Sequence, residues 1–305
     1  MNILILGGTG FLGRNLANEL SRFHSVYSVG YDKTNKQTDR CFMSAKLSDT
    51  EEIISFIKAN KIALVMHLVS TLLPSSNASD YVSDLQDVYI PTLKLLEYCA
   101  ENHIRFLYFS SGGAVYGTGD GCFSEKKECK PISYYGLSKL NIENAIHFYH
   151  STYGLEYLIV RPSNPYGHGQ NIYGKQGLIA VLMGKVLQQK SIEIWGDGTA
   201  IKDFIYIDDF VFYVKALLEN ECAWNETYNI GSGVGTSVNE VLTIFKNIGI
   251  SLPKIHRIAS RKSDVSRMIL DCKKINTLFS HECNTIEEGI LQFFDFLKEG
   301  KNEHN

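Results

Sequence analysis

The 305-residue sequence contains no apolar stretch of membrane-spanning length, so no helical membrane anchor is expected. It has almost no charge surplus. Thirty Lys and Arg against 33 Asp and Glu leave a net charge of -3, with the signs interspersed, which argues against nucleic acid or an anionic membrane as partner. Seven cysteines, at 41, 99, 122, 129, 222, 272 and 283, form no CxxC pair and no zinc-like cluster with the nine scattered histidines. A disulfide framework and a metal site are therefore both unexpected, and the thiols read as reduced in a cytoplasmic protein. A strand pattern starting at residue 2 leaves no room for a signal peptide. Internal repeats and low-complexity tracts are also missing, while a hydrophobic fraction of 44% is ample for a full core.

The most informative feature that is present lies at the start. Ile3 to Leu6 is apolar on both faces, as expected of a central parallel strand covered by helices. It runs into Gly7-Gly8-Thr9-Gly10-Phe11-Leu12-Gly13, followed by a helical stripe over Arg14 to Leu20. Glycines at 7, 10 and 13 suit a tight turn, close backbone approach to a phosphate, and helix-to-strand packing. The free N–H groups of the helix start then face the anion. At a strand-to-helix junction this triplet predicts a dinucleotide pyrophosphate site.

Strand and helix signals alternate through the first half. Strands are predicted at Val26 to Val29, Ala63 to Val69, Arg105 to Ser110 and Tyr157 to Val160, and helices at Asp49 to Asn60, Tyr81 to Asn102 and Tyr134 to Tyr153. This alternation predicts an α/β fold with a Rossmann-type, doubly wound parallel sheet. Residues 163–177, rich in Gly, Asn and Tyr, read as a long functional loop. The remainder reads as a smaller α/β lobe, giving domains at 1–165 and 166–305 with some later segments returning to the first.

Tyr135 and Lys139 stand four residues apart in Tyr135-Gly136-Leu137-Ser138-Lys139, so on a helix they share a face. An ammonium beside a phenol lowers the tyrosine pKa and makes it a usable acid or base. Upstream, the strand ending Phe109-Ser110-Ser111-Gly112 offers a hydroxyl that could hydrogen-bond a substrate oxygen.

With those motifs in this order, the chain resembles the extended short-chain dehydrogenases/reductases of the nucleotide-sugar epimerase, reductase and dehydratase group. The likeness covers nearly the whole chain. It takes in Ser110 to Gly117, Arg161-Pro162-Ser163-Asn164-Pro165-Tyr166-Gly167, Trp195-Gly196-Asp197-Gly198, Lys202 to Asp209 and Tyr228-Asn229-Ile230-Gly231. The resemblance implies NAD or NADP on the first lobe, contacted by Gly7, Gly10, Phe11, Leu12, Gly13, Asp32, Leu68, Tyr135, Lys139 and Pro162. It also implies a nucleoside-diphosphate sugar on the second, contacted by Ser111, Asn164, Lys202 and Arg261. Tyr135 would be the acid/base at the sugar oxygen, with Lys139 and Ser111 beside it. A homodimer built on the helices near 81–102 and 133–153 is implied too.

Four departures narrow the expected reaction. Gly112 stands where the family carries its hydroxyl residue, so that either Ser111 replaces it or that hydrogen bond is missing. Gly113 and Ala114 stand where dehydratases carry an Asp-Glu pair, so a dehydratase is not expected. Gly30 stands where an acidic residue usually grips the adenosine ribose, leaving Asp32 to do so for NAD, or Lys33 and Arg40 to admit the NADP phosphate; Lys46 occupies a common adenine-contacting Asp position. Lys202 replaces an arginine fork. The altered adenosine end leans the reading toward a reductase that exchanges its cofactor each turnover, acting on a dTDP-4-dehydro-6-deoxyhexose in surface polysaccharide synthesis. The alternative is a UDP-hexose 4-epimerase with retained NAD. A non-catalytic dinucleotide sensor is the rival from another class, and the intact Tyr135/Lys139 pair speaks against it.

Overall fold

The computed structural model describes residues 1–31, 41–119, 121–174, 176–259 and 267–302. Along the chain the elements are β1 (Asn2–Leu6), α1 (Phe11–Leu20), β2 (Ser25–Gly30), β3 (Phe42–Ser44), α2 (Thr50–Ala59), β4 (Leu64–His67), α3 (Ala78–Asp84), a π-helical turn (Leu85–Tyr89), α4 (Ile90–Glu101), β5 (Arg105–Phe109) and α5 (Gly112–Val115). There follow β6 (Cys122–Phe123), α6 (Tyr134–Tyr153), β7 (Tyr157–Pro162), β8 (Asn164–Tyr166), α7 (Leu178–Leu187), β9 (Ile192–Trp195), β10 (Ile201–Tyr206) and α8 (Ile207–Glu219). Last come β11 (Glu226–Ile230), β12 (Gly235–Ser237), α9 (Val238–Asn247), β13 (Ile255–Ile258), β14 (Arg267–Leu270), α10 (Lys273–Leu278) and α11 (Ile286–Asn302). Among the described residues no helix is long and apolar enough to cross a membrane.

The chain divides into two compact units. One comprises Met1–Gly117, Glu128–Arg161 and Val214–Tyr228; the other comprises Thr118–Lys127, Pro162–Tyr213 and Asn229–Asn305. The segments interleave, so no single cut at residue 165 separates them. Pairing explains the crossings: β6 joins β14 in the second unit, whereas β11 returns to the edge of the large sheet beside β7.

That seven-stranded sheet has the order β11-β7-β5-β4-β1-β2-β3, and every pair from β7 to β3 is parallel. This is the doubly wound architecture expected from the alternating signals. Ile3, Leu4, Ile5 and Leu6 are all fully buried, which accounts for a strand apolar on both faces. The core beneath it gathers Leu4, Leu6, Val65, Phe106, Tyr108, Ile142, Ile146 and Ile159. Each such side chain stabilises the fold by about 1.5–3 kcal/mol.

The helix expected over Tyr81 to Asn102 starts earlier and is interrupted. Asn77 caps α3 in a reciprocal box with Asp80, and the π turn at Leu85–Tyr89 separates α3 from α4. The expected loop at 163–177 holds a short strand instead: β8 pairs with β10, Asn164 opposite Phe204 and Tyr166 opposite Tyr206.

One buried ion pair ties α6 to β7. The Arg161 guanidinium donates to both Glu143 oxygens at 3.0 and 2.5 Å and to the Tyr116 hydroxyl at 2.9 Å. Both charges are withdrawn from water, so neither can lose the other cheaply. Glu143→Gln is expected to lower the unfolding free energy by about 3–5 kcal/mol in urea titrations, because Arg161 is left buried without its counter-charge.

Candidate active site

In the first unit, the glycine turn and α1 form a cradle. Gly7 adopts φ +86 and accepts from the Gly10 N–H at 3.0 Å, which folds the turn back on itself. A Cβ on Gly13 would sit 2.4 Å from the Gly7 carbonyl oxygen, so this helix can lie against the turn only with glycine there. Gly10 is the N-cap of α1 and no side chain caps the helix. Phe11 and Leu12 occupy its first turn, half-buried, and Leu68 abuts Gly7 from the end of β4. A backbone cradle with an uncapped helix start fits the pyrophosphate of a dinucleotide.

The adenosine end is built unusually. A Cβ on Gly30 would meet the Thr9 hydroxyl at 2.7 Å, so Thr9 fills the space that a ribose-gripping side chain would need. Beyond it, exposed Tyr31 lies under Lys46, whose ammonium is 5.3 Å from the ring centroid. Asp32, Lys33 and Arg40 lie outside the described residues.

Ser111, Tyr135 and Lys139 all belong to the first unit. Ser133 caps α6 by accepting from the Gly136 N–H at 3.1 Å, and this capped first turn carries Tyr135. Ser111 precedes α5 in extended conformation and hydrogen-bonds the Tyr135 side chain. Ser111, the residue before Gly112, thus places a hydroxyl against Tyr135. Lys139 follows one helical turn after Tyr135; its ammonium donates to the Phe109 carbonyl at 2.9 Å and lies 5.9 Å from the centre of the Tyr135 ring.

The expected lowering of the Tyr135 pKa is not what the structure shows. Burial pushes this phenol up, with the Ser111 hydrogen bond opposing, while burial pulls Lys139 down to about 8. Desolvation outweighs the Ser111 hydrogen bond at Tyr135 and the Asp84 and Glu143 charges at Lys139, because each charged form would sit in a low-dielectric pocket. Tyr135 nevertheless keeps a partly exposed surface from which it can reach a ligand.

In the second unit, a cavity of about 510 Å³ is lined by Asn164, Tyr166, Trp195, Thr199, Lys202 and Phe204, among others. Lys202 and Asn164 therefore share one cavity wall. The Asn164 amide donates to the Asp203 carbonyl at 2.7 Å, which fixes its orientation. Asp203 itself is buried and accepts from the Ser232 N–H and hydroxyl, Gly233 N–H and Leu270 N–H at 2.9–3.2 Å. Burial pushes its pKa up to about 6 against those donors, so Asp203 works as an anchor rather than a ligand group. Trp195, 45% exposed, offers a flat face at the cavity. Pro162 closes β7 and is buried; Arg261 lies outside the described residues.

Sequence reasoning did not single out Trp195, Thr199 or Tyr166 as lining residues, although the Trp195 to Gly198 segment had been noticed. It also missed Asp84, a buried carboxylate near Lys139. Among the described residues one trio, Asp209, His281 and Cys283, has metal-ligand chemistry. Its carboxylate is already engaged: one oxygen with His281 Nε2 at 2.7 Å, the other with the Asn284 N–H and amide at 3.0 Å. It reads as a knot pinning the 281–284 segment to α8.

Comparison with known proteins places the chain in a family. Residues 3–231 match the NAD dependent epimerase/dehydratase family. A putative UDP-glucose 4-epimerase of Methanocaldococcus jannaschii is 32% identical over 97% of this chain and 98% of its own length. A dTDP-4-dehydro-6-deoxyglucose reductase of Escherichia coli is 31% identical over 79% of each. The structure of UDP-glucose 4-epimerase from Thermotoga maritima with UDP-glucose superposes with a TM-score of 0.90 at 30% identity, covering 99% of this chain and 100% of that one.

The glycine cradle gives a direct test. Gly13→Ala should weaken NAD binding at least about tenfold, the equivalent of 1.4 kcal/mol, in calorimetric titration, because the new methyl must push α1 away from Gly7.

Proposed function

The chain belongs to the NAD dependent epimerase/dehydratase family, whose members here are enzymes of nucleotide-sugar modification, and we propose that it is a UDP-hexose 4-epimerase working with retained NAD. The observation that carries this is end-to-end likeness to UDP-glucose 4-epimerases, 97–100% of both chains, against 79% coverage for the reductase. The expectation of a reductase leaned on the altered adenosine end. Part of that argument weakens, since Gly30 is accounted for by the packing of Thr9, and the pyrophosphate contacts that would hold NAD do not depend on it.

In this reading the resting Tyr135 phenol first gives its proton to solvent; the phenolate then takes the proton from the C4 hydroxyl of the hexose and returns it after the keto sugar has turned over. Ser111 orients the Tyr135 hydroxyl and the sugar oxygen between them. Lys139 stabilises the phenolate whenever Tyr135 has given up its proton. Gly7, Gly10, Phe11, Leu12, Gly13 and Leu68 would hold NAD, which when bound supplies the hydride acceptor and donor for C4. Lys202 and Asn164 would meet the diphosphate, Lys202 as a point charge, and the face of Trp195 suits a stacked base or sugar ring. Gly113 and Ala114 carry no proton-transfer group, which supports C4 chemistry without loss of water.

The reductase remains the second reading, supported by the 31% likeness to the E. coli enzyme. The two are separated by incubating purified protein with UDP-galactose or with dTDP-4-keto-6-deoxyglucose and NADH or NADPH. Interconversion of UDP-galactose and UDP-glucose, with NAD retained through purification and no net absorbance change at 340 nm, is the expected result. Stoichiometric loss of absorbance at 340 nm with the keto sugar would transfer the assignment to the reductase. Tyr135→Phe should cut turnover by about 10²- to 10⁴-fold in either case while NAD binding persists.

We also propose a homodimer. Val82, Ile90, Leu137, Phe148 and Tyr153, on α3, α4 and α6 and at the start of α4, leave large apolar surfaces exposed in the single chain. Light scattering on the purified protein should give twice the 34.3 kDa chain mass, and Phe148→Glu should shift it toward the single-chain value.

A further inference from the structure

Lys139 is a cation in an unfavourable place. It is 4% exposed, its ammonium donates to one carbonyl, and among the described residues no carboxylate lies within ion-pair distance of it. An ammonium so placed shifts toward its neutral form unless a negative charge is fixed nearby.

Two carboxylates act on it, Asp84 first and Glu143 second. Glu143 is clamped by Arg161 through two hydrogen bonds, so most of its charge is already answered. Asp84 is different. It is 1% exposed and is held from two sides by neutral hydroxyls, Thr71 after β4 and Ser138 on α6, each at 2.5 Å. Among the described residues it has no ion-pair partner. Ser138 immediately precedes Lys139, so the helix that carries the ammonium also holds the carboxylate in place.

The backbone supports this placement. Asp84 is the last residue of α3, and the π turn begins at the next residue. A π turn is a costly local irregularity that tends to persist where it aims a side chain. Here it lets α3 and α4 follow one another while Asp84 points at Ser138 and Thr71.

We propose that Asp84 is a positioning residue of the Tyr135/Lys139 site, its buried carboxylate acting as the fixed counter-charge that keeps Lys139 cationic. The other groups facing Lys139 cannot do this. His67 on β4 is pushed down to about 3 by burial and by Lys139, and is neutral. Tyr108 on β5 and Tyr135 on α6 are pushed up by burial and are likewise neutral. Burial draws Lys139 down to about 8, and Asp84 is the largest influence raising it. Losing Asp84 would therefore move Lys139 below its present value, leaving about half of it or less charged at neutral pH.

This rests on the catalytic reading of Tyr135 and Lys139, but its primary test does not require activity. Protein labelled with ¹³Cε-lysine is titrated by NMR, the Lys139 signal being assigned through its loss in Lys139→Met. The wild-type midpoint is expected at about 8. Asp84→Asn, with Asp84→Ser alongside in case one does not fold, should lower it by about 1 pH unit or more. Ser138→Ala, which keeps the carboxylate and its Thr71 bond, should lower it by clearly less than the Asp84 variants do. In turnover assays the alkaline limb of the kcat profile should move down by the same interval in the Asp84 variants, with KM for the sugar nucleotide unchanged. An unmoved Lys139 midpoint, or an equal loss of kcat at every pH, would overturn the proposal. Full turnover in Tyr135→Phe would instead overturn the catalytic reading and leave the Lys139 titration standing.

Discussion

Burial of a lysine ammonium behind the end of β5 is the constraint from which much of the first unit follows. An ammonium there must have an acceptor and a compensating charge, or it becomes neutral. The Phe109 carbonyl supplies the first, and its availability depends on β5 ending at Phe109 rather than continuing. The strand ends because the chain turns into α5 over Gly112 to Val115, and the same turn puts Ser111 against Tyr135. Compensation comes from α3 and α6, whose carboxylates are themselves held by Thr71, Ser138 and Arg161. The polar cluster is therefore satisfied by elements from across the sheet, and removing one member strands the others.

A second constraint is steric and concerns the dinucleotide turn. Close contact between α1 and the turn leaves no room for a side chain at Gly13, and Thr9 leaves none at Gly30. These two facts have different consequences. The first preserves the uncapped helix start on which an anion can rest. The second removes the usual position for a ribose-gripping carboxylate; just beyond β2, Tyr31 and Lys46 form an exposed cation–aromatic pair.

How much of this could be read from the residues depends on how local the determinant is. The sheet and α6 were legible because their signals are local: a fully apolar run in β1, and Tyr135 and Lys139 one helical turn apart. The π turn was not, since a single extra residue barely disturbs the apolar spacing of Tyr81 to Asn102. β8 was hidden because its three residues, Asn-Pro-Tyr, acquire strand geometry only from β10, about 40 residues later. Asp84 carried no signal at all: an acidic residue on a helix is ordinarily solvated, and only the approach of Thr71 and Ser138 shows otherwise. The direction of the Tyr135 shift was misjudged for a related reason, because spacing reports the neighbour but not the depth of burial that outweighs it.

The choice between epimerase and reductase follows from separating two kinds of residue. In the proposed mechanism Tyr135, Lys139 and Ser111 would handle the proton at C4, a task that is the same whether the sugar is reduced once or oxidised and reduced in turn. The difference between the reactions is whether the dinucleotide leaves between turnovers. That rate is governed by contacts along the whole cofactor, including the adenosine end, where this chain departs from the common pattern at Gly30 and Lys46. The glycine turn with its uncapped helix start would supply pyrophosphate binding energy independent of the ribose contact. Loss of one carboxylate grip removes on the order of 1.5–3 kcal/mol of charged hydrogen bonding, whereas the cradle and the burial of the remaining surface are untouched. A cofactor held by the rest of the site can therefore still outlast many turnovers, which is why the adenosine-end changes alone do not make this chain a reductase.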